Sequence, residues 1–269
     1  MTVAKVARSN TETHGSGTPL VSLRNIQKHF GSLHALRGAS VEVHAGEVVA
    51  LVGDNGAGKS TLVKVMAGVH AADSGEYLFE GKPVKVSNPS DATALGIQTV
   101  YQDLALCHNL DAVQNLFLGR EMTGSWWGGR RIRRAESEVR AREVLTRMRL
   151  GGMSLTRPVG AMSGGQRQNI AIARSILWTP KVVILDEPTA ALSHSAAESV
   201  SKLIRTLADQ GMGIVVVSHD IHHFVVNSTD RIEVMRLGAN VASFKSRDVT
   251  GEQVVNAMVG GNDGVNLAG

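Results

Sequence analysis

A single cysteine, Cys107, stands among 269 residues, so neither a disulfide framework nor a cysteine-rich metal site can form. That usage fits a reducing compartment. No run of about 18 apolar residues occurs, so no segment is long enough to span a bilayer as a helix. The stretch from Met1 to Lys5 leads into polar residues and lacks the apolar core of a secretory leader. Charge of one sign is also missing. With 28 basic and 24 acidic residues the formal charge is only +4, which reads as an ordinary solvated surface and argues against a nucleic-acid partner. Apolar residues are plentiful, at 43%, enough for a sizeable core in one large domain or two small ones.

The chain is organised around Gly53-Asp54-Asn55-Gly56-Ala57-Gly58-Lys59-Ser60-Thr61, which matches the phosphate-binding pattern G-x-x-x-x-G-K-[ST]. A short apolar run, Glu47 to Val52, precedes it and predicts a buried strand. Leu62, Val65 and Met66 follow on one helical face. Between strand and helix, the glycines let backbone N–H groups converge on phosphate oxygens, and a helix opening at about Lys59 adds its N-terminal dipole. Lys59 supplies a full positive charge, and the Ser60 hydroxyl is placed to bind Mg²⁺. The chain is therefore expected to bind a nucleoside triphosphate.

Upstream, residues 1–19 are small and polar and predict a flexible tail. An extended segment runs from Val21 toward Phe30. Ser40-Val41-Glu42-Val43 alternates apolar and polar, as a half-buried strand does. Asp73 to Glu76 predicts a turn, and Tyr77-Leu78-Phe79 a short strand, giving a small antiparallel sheet beside the nucleotide strand. Phe30 reads either as a core aromatic or as a stacking surface for adenine. Ile97 to Tyr101 predicts a second buried strand with Gln102 at its exit, where an amide carbonyl can hold a metal ion or a water.

Residues 103–180 predict a mostly helical subdomain. Ala141, Val144, Leu145 and Met148 share one face. Glu136–Arg140, Glu138–Arg142 and Glu143–Arg147 stand at i,i+4 on the other. The run Gly129 to Arg134 carries four arginines that suggest a polyanion site, but the acidic neighbours favour a solvated helix. Met162-Ser163-Gly164-Gly165-Gln166 then forms a second glycine-rich helix cap, with Ser163 as N-cap. One chain with one nucleotide has no internal use for it, which hints at a partner's nucleotide. Lys181 to Glu187 predicts a third buried strand ending in two carboxylates. Asp186 can join the Mg²⁺ shell and Glu187 can polarise an attacking water. Gly213 to Ser218 is a fourth such strand with His219 at its end, which reads either as a structural histidine or, at a strand exit beside a phosphate site, as a contact to the γ-phosphate. Arg231 to Met235 predicts a further strand, and residues 260–269 a loose tail.

In this order the motifs resemble the ATPase subunit of an ABC transporter, from about Val21 to Val259. A phosphate-loop kinase would have no use for Ser163 to Gln166. A DNA-acting relative usually needs coiled-coil or zinc-bearing insertions, and a ribosomal one two ATPase units. The resemblance implies an α/β fold for residues 20–259: a mostly parallel core sheet, an antiparallel β-subdomain and a helical insertion. It implies that Phe30 stacks on adenine and that Gln102 senses the metal and couples to the membrane partner. It further implies that Glu187 is the catalytic carboxylate and His219 the γ-phosphate switch. Two copies would pair, Ser163 to Gln166 of one closing over ATP held by the other. Two departures stand out. Met162 replaces the usual leucine and keeps the apolar volume, whereas Ser193 replaces an aspartate that helps tie the two sites together.

Gly53 to Gly56, Ser90 to Ile97 and Asn115 to Glu121 are similar to bacterial monosaccharide importers. Tyr101 to Leu106 looks most like the fructose-import ATPase subunit. That likeness implies a position on the cytoplasmic face of the inner membrane, with permease subunits and, indirectly, a periplasmic sugar-binding protein as partners.

Overall fold

The computed structural model describes residues 17–126 and 129–260. Most of the two expected tails lies outside these residues. In chain order the strands and helices are β1 (Val21–Phe30), β2 (Leu33–Val43), β3 (Val48–Val52), α1 (Lys59–Met66), β4 (Ser74–Phe79), β5 (Lys82–Pro83), α2 (Pro89–Ala94) and β6 (Ile97–Val100). There follow α3 (Ala112–Phe117), β7 (Thr123–Trp126), β8 (Gly129–Ile132), α4 (Arg134–Arg147), α5 (Gly164–Ile176) and β9 (Val182–Asp186). The chain continues through α6 (His194–Asp209), β10 (Gly213–Val217), α7 (Val226–Ser228), β11 (Arg231–Arg236), β12 (Ala239–Lys245) and α8 (Gly251–Val259).

Six strands form the central sheet in the order β12-β11-β3-β10-β9-β6, parallel except where β12 runs against β11. Every residue of β3 and β10 is buried, as expected of parallel strands covered on both faces. Alternation divides them between two cores. Val48, Ala50, Val52, Ile214 and Val216 pack with α3 to α6. Val49, Leu51, Val215 and Val217 face α1 and the smaller sheet. That smaller sheet is antiparallel, in the order β2-β1-β4-β5.

Several boundaries differ from those expected. The third strand of the small sheet begins at Ser74 instead of turning there, because the Asp73 carboxylate accepts hydrogen bonds from Lys28 Nζ at 2.8 Å and His29 N at 2.6 Å. β6 ends at Val100, and Tyr101 is exposed. Residues 103–180 do carry α3, α4 and α5, but a hairpin, β7–β8, interrupts them. The arginine run therefore lies on β8 and the mouth of α4, not on one helix. Ala141, Val144, Leu145 and Met148 are buried together as the 3.6-residue period requires. The expected i,i+4 ion pairs on the opposite face do not form. Arg133 instead binds Glu136 at 2.9 Å, and Arg134 binds Glu138 at 2.9 Å and Asp111 at 2.7 Å.

A buried ionic cluster fastens the two sheets together. Arg231 on β11 donates to Glu47 at 2.8 Å, to the Glu42 carbonyl at 2.6 Å and to Glu233. Glu233 also accepts from Ser243 at 2.8 Å and Asn240 at 3.1 Å. Such a cluster costs desolvation to build, but losing its cation strands two carboxylates. Arg231→Met is expected to lower stability by about 3–5 kcal/mol in urea unfolding. A loss under about 1 kcal/mol would show that water reaches the carboxylates.

Candidate active site

Parallel pairing brings the C-terminal ends of β3, β10, β9 and β6 to one edge. Leu51 lies opposite Val217, Asp186 opposite Val217, and Val100 opposite Leu185. The residues that follow, Gly53, His219, Glu187 and Gln102, therefore share the rim where open α/β sheets bind ligands.

The phosphate loop connects β3 to α1. Gly53 has φ +149°, and a Cβ there would stand 2.2 Å from the Met235 carbonyl. Gly58 caps the helix at φ +101°, with the Ala35 carbonyl 3.0 Å from where a Cβ would lie. Both positions need glycine because the β2 backbone and the β11–β12 turn press on the loop from behind. Gly238 N donates to the Ala57 carbonyl at 3.0 Å, completing that brace. Asp54, Asn55 and Gly56 are exposed on the outer curve, whereas Ala57 is buried beneath it. Lys59 Nζ donates to the Gly53 carbonyl at 2.7 Å and to that of Asp54 at 3.0 Å. Burial lowers the Lys59 ammonium below its ordinary pKa, with Glu187, Asp54 and Asp186 opposing. Ser60 and Thr61 begin the helix behind it.

Glu187 follows β9 in the left-handed region, at φ +53°, an uncommon conformation for glutamate. Its N–H is held by the Val217 carbonyl at 2.9 Å, and its own carbonyl takes Ala190 N at 3.2 Å. This backbone turn points the carboxylate at the next strand end. Glu187 Oε1 lies 2.8 Å from His219 Nδ1. The pair is lopsided in exposure: the glutamate side chain is mostly covered, the histidine mostly open. One step before it, Asp186 is pushed above the ordinary aspartate range by burial, with Lys59 and Lys64 opposing. The fold thus disfavours the ionised form, and the native chain keeps this proton to higher pH than the unfolded chain. Stability falls as pH rises from the ordinary aspartate value through the raised one. Asp186→Asn removes that cost. It should melt higher than the parent at neutral pH, and the two should converge below about pH 4. A variant that melts lower at neutral pH would show that the carboxylate stabilises the fold.

Phe30 sits on the surface, 42% exposed, with its face bounded edge-on by His70 at 5.0 Å. It is not a core aromatic. Gln102 is exposed just past Tyr101. The loop after it is held by Arg174, whose guanidinium donates to the Leu104 and Ala105 carbonyls at 2.8 Å each. Asn115, fully buried, clamps the next stretch through bonds to Cys107, Leu110 and Asp111. Sequence reasoning missed both clamps; a lone asparagine inside the apolar helix Ala112 to Phe117 was the one available signal. Between this loop and the helices opens a cleft of about 210 Å³, lined by Tyr101, Leu104, Leu116, Leu118, Arg174 and Trp178.

Ser163 caps α5 as a capping box: Ser163 Oγ accepts from Gln166 N at 3.3 Å, and Gln166 Oε1 from Ser163 N at 3.0 Å. Gly164 and Gly165 start the helix, and Met162 is buried under it. Among the described residues this cap makes no hydrogen bond to the phosphate loop. Ser193 takes the N-cap position of α6 without capping a backbone N–H; its hydroxyl instead lies 3.4 Å from that of Ser195.

A phosphate loop, a strand-end carboxylate pair and a histidine on one sheet edge define a nucleoside-triphosphatase of the phosphate-loop class. The family model described as "ABC transporter" matches residues 36–190. The chain belongs to that family, and it is an ABC-type, ATP-binding ATPase. It is 40% identical to the xylose/arabinose import ATP-binding protein of Sulfolobus acidocaldarius, over 89% of this chain and 93% of the other. It is 39% identical to the fructose import ATP-binding protein of Rhizobium meliloti, over 91% and 95%. It is also 39% identical to a ribose import ATP-binding protein of Escherichia coli O157:H7, covering 91% of this chain but 47% of that one. A nucleotide-free ATP-binding cassette from an ABC transporter superposes with a TM-score of 0.75 at 26% identity, covering 90% of this chain and 95% of that one. A dimeric bacterial ABC transporter cassette superposes at 0.69 and 26%, covering 84% and 99%.

Proposed function

We propose that this chain is the ATP-hydrolysing subunit of an importer that carries a monosaccharide, fructose or a related sugar such as ribose or mannose, across a bacterial inner membrane. The Glu187–His219 contact on the rim beside Lys59 is the observation that carries the chemistry. The sugar rests on the relatives, whose names are those of xylose/arabinose, ribose and fructose import proteins.

ATP lies with its adenine on Phe30 and its phosphates in the loop from Gly53 to Thr61. Lys59 exchanges its two carbonyl partners for β- and γ-phosphate oxygens. Glu187 Oε1 is engaged by His219, which leaves Oε2 to accept a hydrogen bond from a water in line with the γ-phosphorus. As that water's oxygen bonds to the γ-phosphorus its proton passes to Glu187 Oε2, the bond from phosphorus to the β,γ-bridging oxygen breaks, and ADP and inorganic phosphate form, the proton then leaving to solvent. His219 fixes the carboxylate and reads the γ-phosphate with its other ring nitrogen. Ser60, Gln102 and Asp186 would hold Mg²⁺. A hydroxyl, an amide carbonyl and a carboxylate are the hard oxygen donors this ion takes when phosphates complete its shell, and the half-buried Asp186 gains a counter-charge. Bound there, the ion would supply charge neutralisation along the phosphates.

Two copies pair so that Ser163 to Gln166 of one covers the γ-phosphate of the other. The pair sits on the cytoplasmic face, with the cleft between Tyr101 and Trp178 seating an integral-membrane permease. A periplasmic sugar-binding protein acts through that permease, and no nucleic acid takes part. Uptake of labelled fructose, ribose and mannose by a deletion strain tests the reading. Uptake of at least one should disappear, return with the wild-type gene and fail to return with Lys59→Ala. Normal uptake of all three, with no second ATPase substituting, would overturn the sugar assignment.

A further inference from the structure

The helical insertion is basic in an uneven way. Residues 103–180 hold twelve of the nineteen arginines and none of the nine lysines, against six acidic residues. Arginine differs from lysine in its planar fork, which grips phosphate through two parallel hydrogen bonds. Several of these arginines are engaged within the fold. Arg133 and Arg134 neutralise Glu136, Glu138 and Asp111. Arg140, Arg167 and Arg174 bond backbone carbonyls. Arg120 lies over the Trp178 ring. Arg131, Arg142 and Arg147 differ from these, since all three are exposed and among the described residues they make no ion pair.

These three share one surface. Arg131 and Ile132 border a shallow groove that runs to Ala135 and Glu136. A second groove continues from Ala135 past Val139 to Arg142 and Arg147 along the outer face of α4. Ile132 is 60% exposed and Val139 61%, which puts them, with Leu33, Leu237 and Val259, among the most exposed branched aliphatic residues described. Of the acidic residues along this line, Glu136 and Glu138 are already paired, and among the described residues Glu143 alone has no ion pair. Free arginines interleaved with protruding aliphatic side chains suit the headgroup layer of a membrane: the apolar groups enter it while the guanidinium groups bind phosphate. A nucleic acid would ask for aromatic platforms in place of aliphatic knobs. The hairpin β7–β8 also leaves the rim of the cleft, three residues after Arg120, so this surface adjoins the proposed permease seat.

We propose that the surface formed by Arg131, Ile132, Val139, Arg142 and Arg147 binds the anionic leaflet beside the permease. The orientation rests on the reading of the cleft as the permease seat, but binding to lipid does not need the permease. The full chain is mixed with sedimentable vesicles of phosphatidylglycerol and phosphatidylcholine, or of phosphatidylcholine alone. Binding should require phosphatidylglycerol and weaken steeply with salt. The triple variant R131E/R142E/R147E should bind about tenfold less or weaker still, while its ATP hydrolysis, which shows it is folded, stays at the parent's rate. Ile132→Asn with Val139→Asn should weaken binding without changing its salt dependence. Equal binding to both vesicle types, or by the triple variant and its parent, would overturn the proposal. So would a single-stranded RNA that binds the same surface more tightly than the vesicles. No permease is present, so a failed sugar assignment leaves this result untouched.

Discussion

A Glu187→Gln protein will bind ATP as tightly as its parent and hydrolyse it slower by about a hundredfold or more, the usual contribution of a positioned base. The amide has the shape of the carboxylate, and the backbone at φ +53° does not depend on the side chain's charge. What changes is the acceptor: a carboxylate that bonds His219 at 2.8 Å and still has an oxygen for water becomes an amide with one acceptor and one donor end. Single-turnover hydrolysis with saturating ATP isolates this step from binding and release. A wild-type rate would remove Glu187 from the chemistry. The same variant should hold ATP long enough to accumulate as a dimer in light scattering. Adding Ser163→Arg should return it to monomer, because the capping box that presents Ser163 faces outward from α5. A dimer that survives Ser163→Arg would show that the cap does not cover a partner's nucleotide.

Lys59→Ala should abolish productive binding altogether. Removing a charged donor from a phosphate site costs about 3 kcal/mol, or roughly a hundredfold in affinity. The loss here should be at least that large, because Lys59 is proposed to meet both the β- and the γ-phosphate, in a site where it is half-buried. Arginine should not rescue it. Its longer planar head cannot occupy the space between the Gly53 and Asp54 carbonyls, and the brace from β2 and Gly238 leaves the loop no room to widen. Isothermal titration with ATP measures both variants. Binding by Lys59→Ala within about threefold of wild type would mean that backbone N–H groups alone carry the phosphates.

The parts of this molecule that were legible in its sequence are those built from local pattern. Apolar runs closed by a glycine, an acidic pair or Ser218-His219 marked β3, β9 and β10, because strands buried on both faces need no polar alternation. The capping box at Ser163 was equally visible, since its partners lie three residues apart. The hairpin β7–β8 was not: Gly128-Gly129-Arg130-Arg131 shows neither alternation nor a β-branched run, and the arginines that follow do start a helix. The ion pairs went to other partners for a related reason. The Asp111 carboxylate, brought in from α3, captures Arg134 more firmly than a solvated helix neighbour can. The cluster of Arg231, Glu47 and Glu233 and the approach of His219 to Glu187 depend on which strands lie side by side. Strand order is a global choice that no short window contains.

That strand order also fixes when the protein can first work. β3 carries the phosphate loop, yet both of its sheet neighbours, β10 and β11, come from residues 213–236. A growing polypeptide leaving the ribosome therefore carries the loop motif long before it has anything to pin that motif down. Through most of synthesis, the wholly apolar β3 lacks both flanks and is a hazard for aggregation. ATP, abundant around it, cannot act as a folding template, since a ligand stabilises only the state that already presents its site. Nucleotide binding is thus withheld until the final strands emerge, and a polypeptide cut short before Arg231 would reach the cell as waste instead of a defective ATPase.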